Sequence, residues 1–238
     1  MNVNSLSQRL YKVAAYLPEG SHFADIGSDH AYLPCYVCLQ DKTARAVAGE
    51  VNQGPYESAK NEVTSHSLQD RIDVRLGNGL EVLEVNEVNQ IVIAGMGGPL
   101  IRDILEAGKE KLGAVQRIIV QPNIDSRSIR RWFLNNGYSL VEESILEESG
   151  HIYEILVAEQ GDPEQPYDKK QIEKELWLGP YLLKQGGETF WKKCQEELDK
   201  KRYVLEQMKK ASSVDQDKVD GINNEIIWLK EVLDYDRH

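Results

Sequence analysis

Over its first half the chain alternates short apolar runs with stretches of helical spacing, and this alternation constrains its fold more than any other feature. Five runs, His22–Ile26, Ala44–Gly49, Ile72–Leu76, Gln90–Ala94 and Arg117–Gln121, are separated mostly by helical segments such as Asn52–His66 and Pro99–Lys109. Ile91-Val92-Ile93-Ala94 and Ile118-Ile119-Val120 contain no polar residue to turn toward water. Strands of that kind are covered on both faces, and a helical crossover between strands makes them parallel. The pattern predicts an α/β fold built on a doubly wound parallel sheet.

Departures from the alternation complete the architecture. Residues 4–16 place Leu6, Leu10, Val13 and Ala14 at helical spacing, a lead-in helix ended by Pro18-Glu19-Gly20. Tyr138–Glu147 and His151–Ala158 are joined through Glu148-Ser149-Gly150, too short for a crossover, so an antiparallel hairpin closes the sheet. Gly161-Asp162-Pro163-Glu164-Gln165-Pro166 reads as a linker, and the remainder as helix broken at Gly179-Pro180 and Gly186-Gly187. Trp191, Cys194, Leu198, Leu205 and Met208 keep a 3,4 spacing that Lys201 interrupts, and Val219, Ile222, Ile226, Leu229 and Leu233 keep it throughout. With a polar turn at Ala211-Ser212-Ser213 and Asp215–Lys218, these runs predict an antiparallel helical hairpin with a coiled-coil seam, its first arm about 30 Å long. The expected domains are 1–160, the α/β unit, and 161–238, the helical coiled coil. Short arms close the seam within one chain, so a monomer is expected.

No stretch approaches the roughly 18 apolar residues of a membrane span, so no membrane partner is expected. The N-terminus lacks the basic and apolar regions of a secretory signal. Cys35, Cys38 and Cys194 cannot make a disulfide framework, and a reducing cytoplasm is the expected compartment. Cys35-x-x-Cys38 has no second ligand pair and reads as helix packing, so no metal is expected. Cys194 lies on the seam.

In doubly wound folds the turn after the first strand receives a nucleotide-like cofactor. Here that turn is Asp25-Ile26-Gly27-Ser28-Asp29-His30-Ala31. A pyrophosphate site needs Gly-x-Gly-x-x-Gly, whereas this turn has one glycine, Gly27, flanked by the carboxylates of Asp25 and Asp29. Those acids repel a pyrophosphate and favour a ligand carrying ammonium and sulfonium groups, which is S-adenosylmethionine rather than NAD. Glu50, ending the second strand before Val51, suits two ribose hydroxyls. Asn78 and Gly79 after the third strand can meet an adenine edge, and Gly95-Met96 after the fourth offers bare backbone to cofactor and substrate. Each feature also has a plainer explanation: Asp29 as a helix cap, Glu50 as a solvated strand end, the glycines as turn formers. Their recurrence at successive strand ends favours the cofactor.

The stretches Asp25–Pro34, Gly49-Glu50-Val51-Asn52-Gln53-Gly54-Pro55-Tyr56, Ile93-Ala94-Gly95-Met96-Gly97-Gly98 and Gln121-Pro122-Asn123 resemble the bacterial tRNA (adenine-N1)-methyltransferase family that modifies adenine 22. The resemblance runs from the lead-in helix through the linker and continues weakly into Leu178–Leu183. It implies a Rossmann-like class I methyltransferase domain with a C-terminal coiled coil, S-adenosylmethionine as cofactor and tRNA as partner. Asn78 departs from the carboxylate commoner at its position, although its amide oxygen can still accept from an adenine amino group.

For that reaction adenine N1 already carries a lone pair, so positioning matters more than activation. N1 lies on the pairing edge, so the base must be unpaired or flipped out. Asp29 and His30 are expected beside the transfer path, His30 as proton acceptor or as loop-orienting residue. Asn123 is expected to hold the adenine amino group, or else simply to end its strand.

The formal net charge of −11 argues against a nucleic-acid partner until its distribution is mapped. Residues 109–131 and 181–210 are locally basic. Arg127, Arg130, Arg131, Lys192, Lys193, Lys200, Lys201 and Arg202 are the expected phosphate contacts, forming a limited, salt-sensitive face. The competing functions are a methyltransferase acting on another RNA, a small molecule or a protein, an NAD-dependent oxidoreductase, and a non-catalytic interaction protein that recruits a partner through the coiled coil.

Overall fold

The computed structural model describes residues 3, 5–210 and 215–235, which fall into two compact units, Met1–Pro166 and Tyr167–His238. The Ala211-Ser212-Ser213 part of the expected turn lies outside the described residues.

The first unit is an α/β sandwich. Its strands are β1 (His22–Ile26), β2 (Arg45–Glu50), β3 (Ile72–Leu76), β4 (Gln90–Gly97), β5 (Arg117–Ile124), β6 (Tyr138–Glu148) and β7 (His151–Gln160). They form one seven-stranded sheet in the order β3-β2-β1-β4-β5-β7-β6. The first five run parallel, and β7 joins β5 antiparallel through the β6–β7 hairpin. The chain reverses direction across the sheet between β1 and β4, so their C-terminal ends open a crevice. β4 and β5 run three residues beyond the expected Ala94 and Gln121, which carries Gly95-Met96 and Asn123 to that edge.

The helices follow the apolar pattern. α1 (Gln8–Ala14), α2 (Tyr32–Gln40) and α3 (Gln53–Ser65) contribute Val13, Leu33, Val37, Ala59 and Val63 to a core with Phe23, Val92, Ile119 and Val157 of the sheet. Cys35 and Cys38 lie inside this core as free thiols, pushed by burial to about 12 and about 11. Ile91, Ile93, Ile118 and Val120 alternate with those strand residues and are equally buried. They face the opposite side of the pleat, where α4 (Gly98–Ala107) packs on β4 and β5. α5 (Ser126–Asn135) packs on α4 and β6. The 161–166 linker stays with this unit, held where the Gly161 amide donates to the Gly137 carbonyl.

The second unit holds α6 (Ile172–Leu178), α7 (Pro180–Gln185), α8 (Glu188–Lys209) and α9 (Gln216–Tyr235). α8 and α9 pack together, burying Cys194, Leu198, Val219, Ile226 and Leu229. Lys201, the residue that interrupts the apolar spacing, pairs with Glu225 of α9 at 2.6 Å and stacks over Trp177 of α6. No described helix is long and apolar enough to cross a membrane.

Candidate active site

The turn after β1 is built from strain and buried charge. The Gly27 and Ser28 amides both donate to the Gly49 carbonyl of β2, which folds the chain sharply at the strand end. Gly27 has φ +72°, and Met96 of β4 occupies the space that a side chain there would need. Asp29, His30 and Ala31 then take φ of 45°, 71° and 56°, three consecutive left-handed residues without a glycine. Such a run costs of order 1–3 kcal/mol per residue and persists only where the surroundings impose it. Asp29 does not cap α2, because Ala31 is the cap residue and no side chain bonds there. The Asp29 carboxylate instead points outward, 76% exposed, with His30 Nε2 at 3.5 Å. His30 stacks on Tyr32 with ring centroids 5.3 Å apart.

Two carboxylates lie beneath this turn. Asp25 is buried, accepts from the Ser28 hydroxyl at 2.5 Å, and has its pKa pushed up to about 7 by burial, with Glu50 and Asp29 adding to the shift. Glu50 is only 6% exposed, so it is not a solvated strand end. It accepts from the Asp29 amide at 2.5 Å, and burial raises its pKa too. Burying two acids side by side is costly unless a cation joins them.

The neighbouring strand ends supply different chemistry. Val51 and Asn78 are exposed beyond β2 and β3, and Gly79 opens a short 3₁₀ turn. Asn123 donates from Nδ2 to the Gly95 carbonyl at 2.8 Å, while the Gly95 amide donates to Gln121 Oε1 at 3.1 Å. Arg9 of α1 also donates to Gln121 Oε1 and lies over the Tyr153 ring, 5.1 Å from its centroid.

A family model described as tRNA (adenine(22)-N(1))-methyltransferase, TrmK, matches residues 23–231. The chain belongs to this family. A Bacillus subtilis relative named tRNA (adenine(22)-N(1))-methyltransferase is 46% identical over 237 residues, 99% of this chain and 100% of the relative. The crystal structure of the B. subtilis M1A22 tRNA methyltransferase TrmK superposes with a TM-score of 0.91 at 45% identity, covering 96% of this chain and 99% of that one. A Streptococcus pneumoniae structure in complex with S-adenosyl-L-methionine gives a TM-score of 0.84 at 40% identity, covering 96% of this chain and all of that one.

Within this member of the TrmK family, two expected phosphate contacts require correction. Arg130 is fully buried: its Nε bonds Glu143 at 2.6 Å and its Nη2 bonds Glu154 at 2.8 Å. It faces inward with Ser126, Ile129 and Phe133, the buried stripe of α5, and is unavailable to RNA. Lys201 is likewise engaged inside the helical unit by Glu225 and Trp177. Arg127 and the exposed Arg131 line a cavity of about 330 Å³ with Arg102, Asp125, Ser128, Trp132 and Asn135. On α8, Lys192 is exposed and Lys193 half-buried, Lys200 pairs with Glu197 at 2.9 Å, and Arg202 lies 3.8 Å from Asp199.

Arg9, Tyr153 and Arg102 were not singled out from sequence, and Gln121 entered only within the Gln121-Pro122-Asn123 stretch, with no role of its own. Only Gln121 carries a local signal, an amide closing the apolar run Ile118-Ile119-Val120.

Proposed function

We propose that this protein transfers a methyl group from S-adenosyl-L-methionine to N1 of adenine 22 in tRNA, working in the cytoplasm. The observation that carries the reading is the pair of buried carboxylates, Asp25 and Glu50, under a one-glycine turn, each with its pKa raised by burial. This site suits a cationic nucleoside and opposes a pyrophosphate. Bound S-adenosylmethionine supplies a methyl carbon open to attack by the N1 lone pair, leaving S-adenosylhomocysteine and a cationic 1-methyladenine.

Glu50 accepts from the ribose hydroxyls, with Val51 beside them. Asn78 and Gly79 receive the cofactor adenine, and Asp25 and Asp29 supply negative charge for the cationic end. Gly95 and Met96 separate cofactor from substrate. Asn123 Nδ2 is already committed to Gly95, so its Oδ1 is the atom that accepts from the adenine amino group. An N1 lone pair needs no base, and the His30–Tyr32 stack favours an orienting role for His30 over proton transfer. Carboxylate charge at Asp29 stabilises the developing cation. Arg102, Arg127 and Arg131 form one phosphate-binding patch, and Lys192, Lys193, Lys200 and Arg202 a second on the α8 arm, part of a coiled-coil hairpin within a monomer.

Calorimetry tests the cofactor assignment. Titration with S-adenosylmethionine should give saturable binding and titration with NAD none; NAD binding alone would reject the reading.

A further inference from the structure

Gly95 sits where the β4–β5 ladder breaks register, so no strand partner satisfies its backbone. Side chains of β5 do so instead: Gln121 Oε1 accepts from the Gly95 amide and Asn123 Nδ2 donates to the Gly95 carbonyl. Gln121 is fully buried at the end of an apolar strand, a place where an amide is costly unless every polar atom is used. Its Nε2 donates to the Pro122 carbonyl at 2.8 Å and faces Asn123 Oδ1 at 3.4 Å.

An amide can face either way, and here the Gly95 amide and the Pro122 carbonyl already ask for one direction, which a third group from outside the two strands locks. Arginine has donors and no acceptor, so the Arg9 guanidinium can face only the oxygen of Gln121. With that oxygen committed, Nε2 points to Pro122 and to Asn123 Oδ1, which agrees with the Nδ2 that Asn123 presents to the Gly95 carbonyl. Arg9 is held for this task. Its guanidinium lies over Tyr153, the preceding Gln8 amide donates to Glu148 at 2.6 Å, and a side chain at Gly95 would meet Arg9 Nη1 at 3.3 Å. Arg9 Nε is buried with no hydrogen-bond partner among the described residues, so the side chain is placed for its terminal nitrogen and ring contact.

We propose that Arg9 is a positioning residue for methyl transfer, clamping Gln121 and through it the hydrogen-bond network that holds Asn123 and Gly95 in place. The proposal rests on the function given above. The Arg9 charge is directed at Tyr153 and Gln121.

The test uses the full-length chain as Arg9→Ala, Arg9→Lys and Gln121→Glu. Gln121→Glu retains an oxygen for Arg9 and Gly95 but sets a second oxygen against Asn123 Oδ1 and the Pro122 carbonyl. Measured together are kcat and KM on an unmodified tRNA transcript, S-adenosylmethionine affinity, melting temperature and hydrogen exchange of the Gly95 amide. Arg9→Ala should lower kcat by about tenfold, no more than the loss of Asn123 itself, and speed Gly95 exchange, with KM and cofactor affinity held within about threefold. Arg9→Lys, keeping a donor and the charge, should recover most of kcat. Gln121→Glu should lose kcat without losing melting temperature, because its carboxylate pairs with Arg9.

Wild-type kcat in Gln121→Glu overturns the proposal, as does unchanged Gly95 exchange in Arg9→Ala. Exchange is read without substrate, so a wild-type chain that methylates no tRNA rejects the functional reading separately.

Discussion

The turns after β1 and β5 open on the same edge of the sheet, since both strands lie in its parallel part, yet they are built from opposite materials. The β1 turn is local: three left-handed residues held over two buried carboxylates from adjacent strands. The β5 turn draws on distant chain, its Gln121 amide shared between Gly95 and Arg9, the latter 112 residues away. Carboxylates bind cations, whereas oriented amides read the edge of a neutral base. Under the proposed function, the cofactor therefore belongs to one turn and the substrate adenine to the other.

Glu50→Ala should break the first half of this division most severely. It removes a charged acceptor worth about 3 kcal/mol, so Kd for S-adenosylmethionine should rise by about 10²-fold in calorimetry. Unchanged affinity would move the cofactor elsewhere. Asn123→Ala probes the second half: kcat should fall by about tenfold on the general scale of lost orientation, with cofactor affinity unchanged. A matching loss of cofactor affinity would erase the distinction between the turns.

How far each half was legible follows the same division. The β1 turn could be read from sequence because its chemistry is contiguous, and Glu50 falls at the next strand end. The sheet was equally legible from its apolar runs. Arg9 and Tyr153 were not, because nothing local marks a side chain whose partner is brought up by tertiary packing. Arg130 was misjudged because surface exposure was assumed for a basic cluster. Its spacing with Ser126, Ile129 and Phe133 placed it on the buried stripe, and Glu143 and Glu154 arrive from the hairpin to neutralise it. Lys201 shows the same lesson in the helical unit, where Glu225 answers it.

A smaller effect sharpens the substrate side. Arg131→Ala removes one exposed cation beside the β5 turn and should raise KM for tRNA a few-fold, reducing the salt slope of binding by about one unit. A wild-type salt slope would exclude Arg131 as a phosphate contact.

The smallest effect concerns the acids. With its pKa raised to about 7, Asp25 keeps a proton in the folded state that the unfolded chain releases near its ordinary value. Its contribution to stability is therefore lost as pH rises across that window. In cofactor-free protein, Asp25→Asn should flatten the fall in melting temperature between about pH 4 and about pH 7. A slope equal to the parent's would show that Asp25 ionises without penalty.

The most direct test of the assignment is methyl transfer from radiolabelled S-adenosylmethionine to unmodified tRNA transcripts that differ only at position 22. The account predicts one methyl per transcript on N1 of adenine 22, and none when guanine stands there. Equal labelling of both transcripts, or of neither, would contradict it.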